Sequence, residues 1–353
     1  MAQNILVTGA AGYVGGSVLA ELLSRTRTSS LIKVANLSAA VRTSEQVQAL
    51  SKLGVNVIQL NLSDETSVAE AVLRNEIDIV IHTASSADSR LTSNLIRALG
   101  QRRKDSGKEV YFIHSSVTTV WSEDGGWPYG EVKDTDPLSF EKDKQIGRDH
   151  PARATNILVT EQAKELGVTS FIIAVPPTYG RGTGEWRTLS VNIPAYIRAS
   201  IANKIVYKFE RDGSPPALHI SDLTALYALI VEKILQKEPV PNGENGYYFA
   251  ATHKAPWWEI MQRLADGLYA RGLVTEPKVQ VWPSYNVAAE QLGFPRQYVR
   301  AIGTSSGDIV PVKGKQLGWK PQWTQQMFLE SMDDEIRDVL ELDTIKPTLF
   351  DSL

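Results

Sequence analysis

The chain has 353 residues, 42% hydrophobic and 22% charged, with 37 lysines and arginines, 40 acidic residues, a formal net charge of −3 and no cysteine. That is ordinary composition for a globular protein. The near-neutral charge offers no electrostatic case for nucleic acid or an anionic membrane, and the missing cysteine excludes disulfides, thiolate catalysis and cysteine-ligated metal. The N-terminal "MAQNILVTGAAG" has no basic stretch before an apolar core, and no apolar run is long enough to cross a bilayer. The expectation is a cytoplasmic protein of one large domain or two coupled ones.

The chain opens with "NILVTGAAGYVGGSVLAELL": a short apolar run, a glycine turn, then helical periodicity. Gly9, Gly12 and Gly15 form G-x-x-G-x-x-G between a strand and a helix, the context that gives such a motif weight. The first glycine permits the tight turn, the second lets backbone approach a pyrophosphate, and the third lets helix and strand pack closely. The helix N-terminus supplies free N–H groups and a positive dipole end. The second strand, "NLSAAVR", ends on no acid; Arg42 stands there, followed by Thr43 and Ser44. A guanidinium suits a 2′-phosphate, so NADP is expected ahead of NAD, with NAD and a merely solvated arginine left open.

Residues 55–62 read as a strand, followed by a helix capped near Ser63 and Asp64. "IDIVIHTA" (77–84) is almost wholly apolar, as a strand buried on both faces should be. "EVYFIHSS" (109–116) and "VTSFIIAVPPTYG" (168–180) are further strands, with helical patterns between them. Repeated β-α units predict an α/β fold, a Rossmann-type doubly wound parallel sheet, with a smaller mixed C-terminal substrate lobe. Residues 1–180, with 216–251 returning, would form the dinucleotide domain; 181–215 and 252–353 would form the lobe. Ligands of such sheets bind at the carboxyl ends of the strands. Those ends present Asn61, Thr83, Ser85, Ser86, Ser115, Ser116, Thr118 and Thr178. The stretch 121–147 reads as a long charged loop, functional or mobile. Trp186, Trp257 and Trp258 suggest an apolar-lined small-molecule pocket. No histidine–carboxylate cluster has metal-ligand spacing.

"VTGAAGYVG", "IHTAS", "VPPTYGRGTG", "LHISDLTALY" and "KQLGWKPQW" together resemble the extended short-chain dehydrogenase/reductases, the branch of NAD-dependent epimerases and dehydratases. "PPTYGRGTG", "RTLSVNIP" and "GYYFAATHKAPWWEI" look like a fungal subgroup of it; the similarity to NmrA-like regulators is looser. The resemblance implies that Gly9, Gly12, Tyr13, Val14 and Gly15 line the pyrophosphate and that Arg42 meets the adenosine ribose or its phosphate. Asn61 and Leu62 would flank adenine, Thr83, Ala84 and Ser85 the far pyrophosphate and ribose, and Pro176, Pro177 and Thr178 the nicotinamide.

The family's chemistry uses a Ser or Thr at the end of the fifth strand and a Tyr-x-x-x-Lys on the following long helix. "WPYGEVKD" (127–134) contains Tyr129 and Lys133 at that spacing, but Pro128 and Gly130 belong to turns, and the pair needs one helix face. Aligned on "LVTEQA", the tyrosine, lysine and serine places fall on Arg153, Ile157 and Val117. The pattern is therefore absent at all three, and replacements are sought in Thr118, Ser116, Tyr179, Arg153 and His150. Arg187 is a candidate for an acidic substrate, His114 reads as a satisfied core residue, and His219 as the pin of a turn before Asp222. Three functions stay open. One is an NADP(H)-dependent oxidoreductase on a small secondary-metabolite carbonyl, imine or alcohol. The others are a non-redox isomerase, dehydratase or cyclase, and a dinucleotide-sensing regulator. A homodimer is possible.

Overall fold

The computed structural model describes residues 3–342. Its centre is a seven-stranded, wholly parallel sheet. Five strands come early: β1 (Asn4–Thr8), β2 (Leu37–Val41), β3 (Asn56–Gln59), β4 (Ile77–His82) and β5 (Tyr111–Val117). After the two-residue β6 (Val132–Lys133) come β7 (Thr169–Val175), β8 (Thr178–Tyr179), β9 (Val206–Lys208), β10 (Pro216–His219), β11 (Tyr247–Phe249), β12 (His253–Lys254), β13 (Val279–Val281) and β14 (Ile309–Val310). The large sheet runs β11-β7-β5-β4-β1-β2-β3. The order reverses between β1 and β4, and that crevice is where doubly wound sheets take ligands.

Alternation along each strand sends side chains to two apolar layers. Ile5 and Val7 of β1 face the helices Tyr13–Arg25 and Ile220–Leu235 through Val18, Leu22, Leu226 and Ile230. Leu6, Val80, Phe112 and Ile172 face Glu65–Arg74, Ser89–Ser106 and Pro151–Leu166 through Val72, Leu95, Leu99 and Val159. Each such side chain contributes roughly 1.5–3 kcal/mol by leaving water. β4 is buried along its whole length, as its composition predicts. Its one charge, Asp78, accepts from Arg102 Nε at 3.1 Å.

Caps fix the helix starts. Asp64 accepts from Ser67 N–H, Asp88 from Arg90 and Leu91 N–H, and Thr43 forms a capping box with Gln46. A third apolar cluster gathers helices Asn192–Asn203, Trp257–Ala270 and Met332–Leu342 around Tyr196, Trp257, Leu264 and Ile336. Small sheets β8-β10-β12, β9-β13 and β6-β14 stitch this part together.

The 121–147 stretch is not the single loop its composition suggests. It holds a helix, Ser139–Ile146, and β6, which pairs with β14. Asp134 fastens it, accepting backbone N–H groups of Phe249, Val312 and Lys313.

Candidate active site

The glycine turn after β1 is built for close approach. Gly9 has φ +68°, a left-handed conformation costly for other residues, and a Cβ there would sit 2.9 Å from the backbone of Ala84. A Cβ on Gly15 would collide with the Thr83 side chain and the Gly9 carbonyl, so the helix meets the strand ends without intervening side chains. Gly12, its N-cap, offers no side-chain cap, and the first turn holds no acid. The amides of this turn are left for an anion. Val14 is half-buried beside them. The Tyr13 side chain turns away: buried, it donates from its hydroxyl to Gly180 O at 2.7 Å.

That contact belongs to a cover over the start of the first helix. Thr183 N–H donates to Ser17 Oγ at 3.1 Å, so residues 180–184 lie along the start of the first helix. Gly180 N–H donates in turn to the Glu335 carboxylate at 2.6 Å, which the C-terminal helix Met332–Leu342 delivers. Burial raises this carboxyl to about 7, opposed by the Gly180 bond and reinforced by Asp338 and Asp334. Only the repeated glycines of "GRGTG" hint at this in the sequence; nothing local announces Glu335.

Along the crevice, Arg42 stands exposed at the end of β2. Among the described residues its guanidinium has no ion-pair partner; only its backbone is engaged, by Gln46 and Gln59. Asn61 is exposed, its Oδ1 accepting from Ser63. The Leu62 carbonyl accepts from Asn94 at 3.0 Å. Thr83 Oγ1 donates to Thr8 O at 2.7 Å, and Ser85 Oγ accepts from the Ala87 and Asp88 amides, shaping the turn that abuts Gly9. Glycines, uncapped amides and an unpaired cation fit a dinucleotide in this crevice, phosphates at the helix start.

At the far end, Val117 of β5 lies opposite Val175 of β7. Beyond them come Pro176, buried, with Pro177 and Thr178 half-buried; Thr178 Oγ1 donates to Pro176 O. Thr118 opens a short turn and is 4% exposed. It lines a small cleft with Pro177, Asn192, Pro216, Ile302 and Ser305. Ser116 is buried, its hydroxyl unpartnered.

Other candidates are committed elsewhere. Arg153 is 2% exposed; it donates to Val120 O at 2.6 Å, Gly125 O at 2.8 Å and Asp143 Oδ1 at 3.3 Å. Tyr247 OH donates to the other Asp143 oxygen, and burial still pushes that carboxyl up to about 6. Ile157 is core. Tyr179 is buried against Phe328, His219 and Trp323, with its hydroxyl 2.9 Å from His253 Nε2. Burial and the Asp222 and Glu335 carboxylates raise its phenol. It is packed into the aromatic cluster rather than aimed past the prolines. His150 is the N-cap residue of Pro151–Leu166. Its Nδ1 is buried without a partner, and burial, then Arg153, lower it to about 4.

Tyr129 and Lys133 lie off any helix, the lysine exposed on β6 and the tyrosine against Trp127. His114 departs from its expected satisfied state: it is buried and stacked on His82, but neither ring nitrogen has a partner. His219 caps the helix Ile220–Leu235, and Asp222 accepts the Gln322 and Trp323 amides. Trp186 packs on the dinucleotide-side core, not with Trp257 in the lobe.

The fold is shared with UDP-glucose 4-epimerase of Thermotoga maritima, solved with UDP-glucose. It is 16% identical, covering 96% of this chain and 100% of that one, with a TM-score of 0.64. UDP-glucuronic acid 4-epimerase of Bacillus cereus, in complex with NAD, is 16% identical over 97% and 99% of the two chains, TM-score 0.63. Among sequence relatives, an uncharacterized protein of Schizosaccharomyces pombe is 27% identical over 331 residues, 90% of this chain and 95% of its own. The oxidase ucsJ of Acremonium is 22% identical over 304 residues, 78% and 81% of the two chains. The model of the NAD dependent epimerase/dehydratase family matches residues 5–241. With the parallel sheet and the glycine cradle, this makes the chain an NAD(P)-binding, Rossmann-type member of that family.

Proposed function

We propose that the protein is an NADP(H)-dependent oxidoreductase that interconverts a small carbonyl or imine compound and its reduced form, without the family's Tyr-x-x-x-Lys. The observation that carries the reading is Arg42, exposed and unpaired at the end of β2, where a ribose 2′-phosphate would sit. The nicotinamide, when bound, supplies or accepts the hydride. Gly9, Gly12, Gly15 and the amides of Tyr13 and Val14 hold the phosphates, and Asn61 and Leu62 flank the adenine. Thr83, Ala84 and Ser85 line the middle of the dinucleotide, and Pro176, Pro177 and Thr178 back its nicotinamide.

Thr118 hydrogen-bonds the substrate's carbonyl oxygen or imine nitrogen, and the proton that completes the alcohol or amine is drawn from a water that enters the cleft and leaves as hydroxide. Ser116 lies beneath the strand end and shapes that wall. Arg153, buried and bonded to Val120 O, Gly125 O and Asp143, positions the 118–125 segment. His150, held neutral by burial, occupies the N-cap position of Pro151–Leu166 without a side-chain cap bond. Tyr179 belongs to the lobe's packing.

The test is loss of NADPH absorbance over a panel of uncharged ketones, aldehydes and imines. Conversion by wild type, with Thr118→Val lowering kcat about tenfold or more while NADPH affinity holds, is the expected result. Product formed with the dinucleotide returned unchanged would replace this reading by a non-redox one. Tight dinucleotide binding with no conversion would replace it by a sensor.

A further inference from the structure

The cleft beside Thr118 has a chemical character of its own. It is bounded by the turn after β5 on one side and by residues 302–307 of the C-terminal part on the other. Its polar groups are neutral: the hydroxyls of Thr118 and Ser305 and the amide of Asn192. Its apolar groups are Pro177, Pro216 and Ile302. Thr118 and Ser305 are each 4% exposed, yet among the described residues neither hydroxyl has a hydrogen-bond partner. Neither oxygen is sealed from solvent, so both are free to meet water or a ligand's own oxygens at the cleft. None of the residues lining the cleft is charged, whereas a bound diphosphate draws on cations or on several charge-assisted bonds.

We infer that this cleft, with a cavity volume of about 40 Å³, takes the oxygen-bearing edge of an uncharged molecule carrying at least two oxygens and no phosphate. Its oxygens meet Thr118, Asn192 and Ser305, and its apolar face lies on Pro177, Pro216 and Ile302. The inference rests on the oxidoreductase reading, since it names the substrate class of the same site. It sets this chain apart from its structural neighbours solved with nucleotide sugars.

The probe is 4-hydroxycyclohexanone, titrated by ligand-observed NMR into the full chain, both with NADP+ and without dinucleotide. UDP-glucose is titrated in parallel. The expected result is binding of the ketone on the order of millimolar, the range a fragment of this size allows. Thr118→Val, Ser305→Ala and Asn192→Ala should each weaken it about fivefold to tenfold. UDP-glucose should bind more weakly than the ketone and be indifferent to all three. Asn192 is only half-buried, so its variant keeps the test open should a buried-site variant misfold. Tighter binding of UDP-glucose, no ketone binding, or ketone binding unmoved by all three substitutions overturns the proposal. Binding is read without turnover, so a failure of the redox reading appears separately, as absent NADPH oxidation while the ketone still binds.

Discussion

Arg153 stands where the family resemblance puts a tyrosine, and its Nε and one terminal nitrogen are engaged by Asp143, Val120 O and Gly125 O. Replacing it by Met strands two carbonyls and a buried carboxylate. Breaking one partner of a buried ion pair costs about 3–5 kcal/mol, so Arg153→Met should lose that much in urea unfolding. Asp143→Asn in the same chain should recover part of it; a loss below about 1 kcal/mol would show the network to be unimportant. The decoy pair makes the opposite forecast. Lys133 is exposed on β6, so Lys133→Ala should leave NADPH affinity unchanged; a clear loss would mean that this lysine reaches the ribose after all. The strand that ends at Val117 and the helix that holds Ile157 were legible because local hydrophobic pattern sets both. The role of Arg153 was not, because its partners lie 10, 28 and 33 residues away and carry no motif.

At the scale of elements, the C-terminal helix and the 180–184 cover share one carboxyl. Glu335 is raised by burial to about 7 from 4.5, so between those values the folded protein holds a proton that the unfolded chain has released. Its stabilising contribution is therefore full below about 4.5 and is lost as pH rises through about 7. The groups around it are Asp334, Asp338 and Tyr13, with Arg181 facing Asp338 at 3.5 Å. Glu335→Gln should flatten the fall in Tm between about pH 5 and 8 relative to wild type; parallel Tm profiles would remove Glu335 as the cause. The neutral histidines His82, His150 and His219, each lowered to about 4, act in the other sense. Their effect destabilises the fold as pH falls through about 6.5 toward 4, and the variant leaves it untouched.

Long periodic elements were readable from the chain: β4, β5 and β7, and the helices capped by Asp64 and Asp88. The two-residue β6 was not, because its stability comes from β14, some 175 residues on. The cap of Ile220–Leu235 fell to His219, a residue outside the usual capping set.

For the whole molecule, the parallel sheet and its crevice followed from alternating β-α units with glycines in the first turn. The smaller mixed C-terminal lobe was also expected, but its strand pairings were not. Its three small sheets pair distant short strands, and its link from Glu335 to Gly180 at the cradle's cover spans 155 residues. No membrane-length apolar helix occurs among the described residues.

The proposed function turns on Arg42 holding the 2′-phosphate of a nicotinamide dinucleotide in this crevice. Calorimetric titration of NADPH and NADH into wild type and Arg42→Ala tests it. Wild type should bind NADPH more tightly than NADH. The variant should show a selective loss of about 1.5–3 kcal/mol, roughly tenfold to more than a hundredfold in Kd, for NADPH, with NADH nearly unchanged. Tighter NADH binding in wild type, or equal weakening of both dinucleotides in the variant, would contradict that role of Arg42.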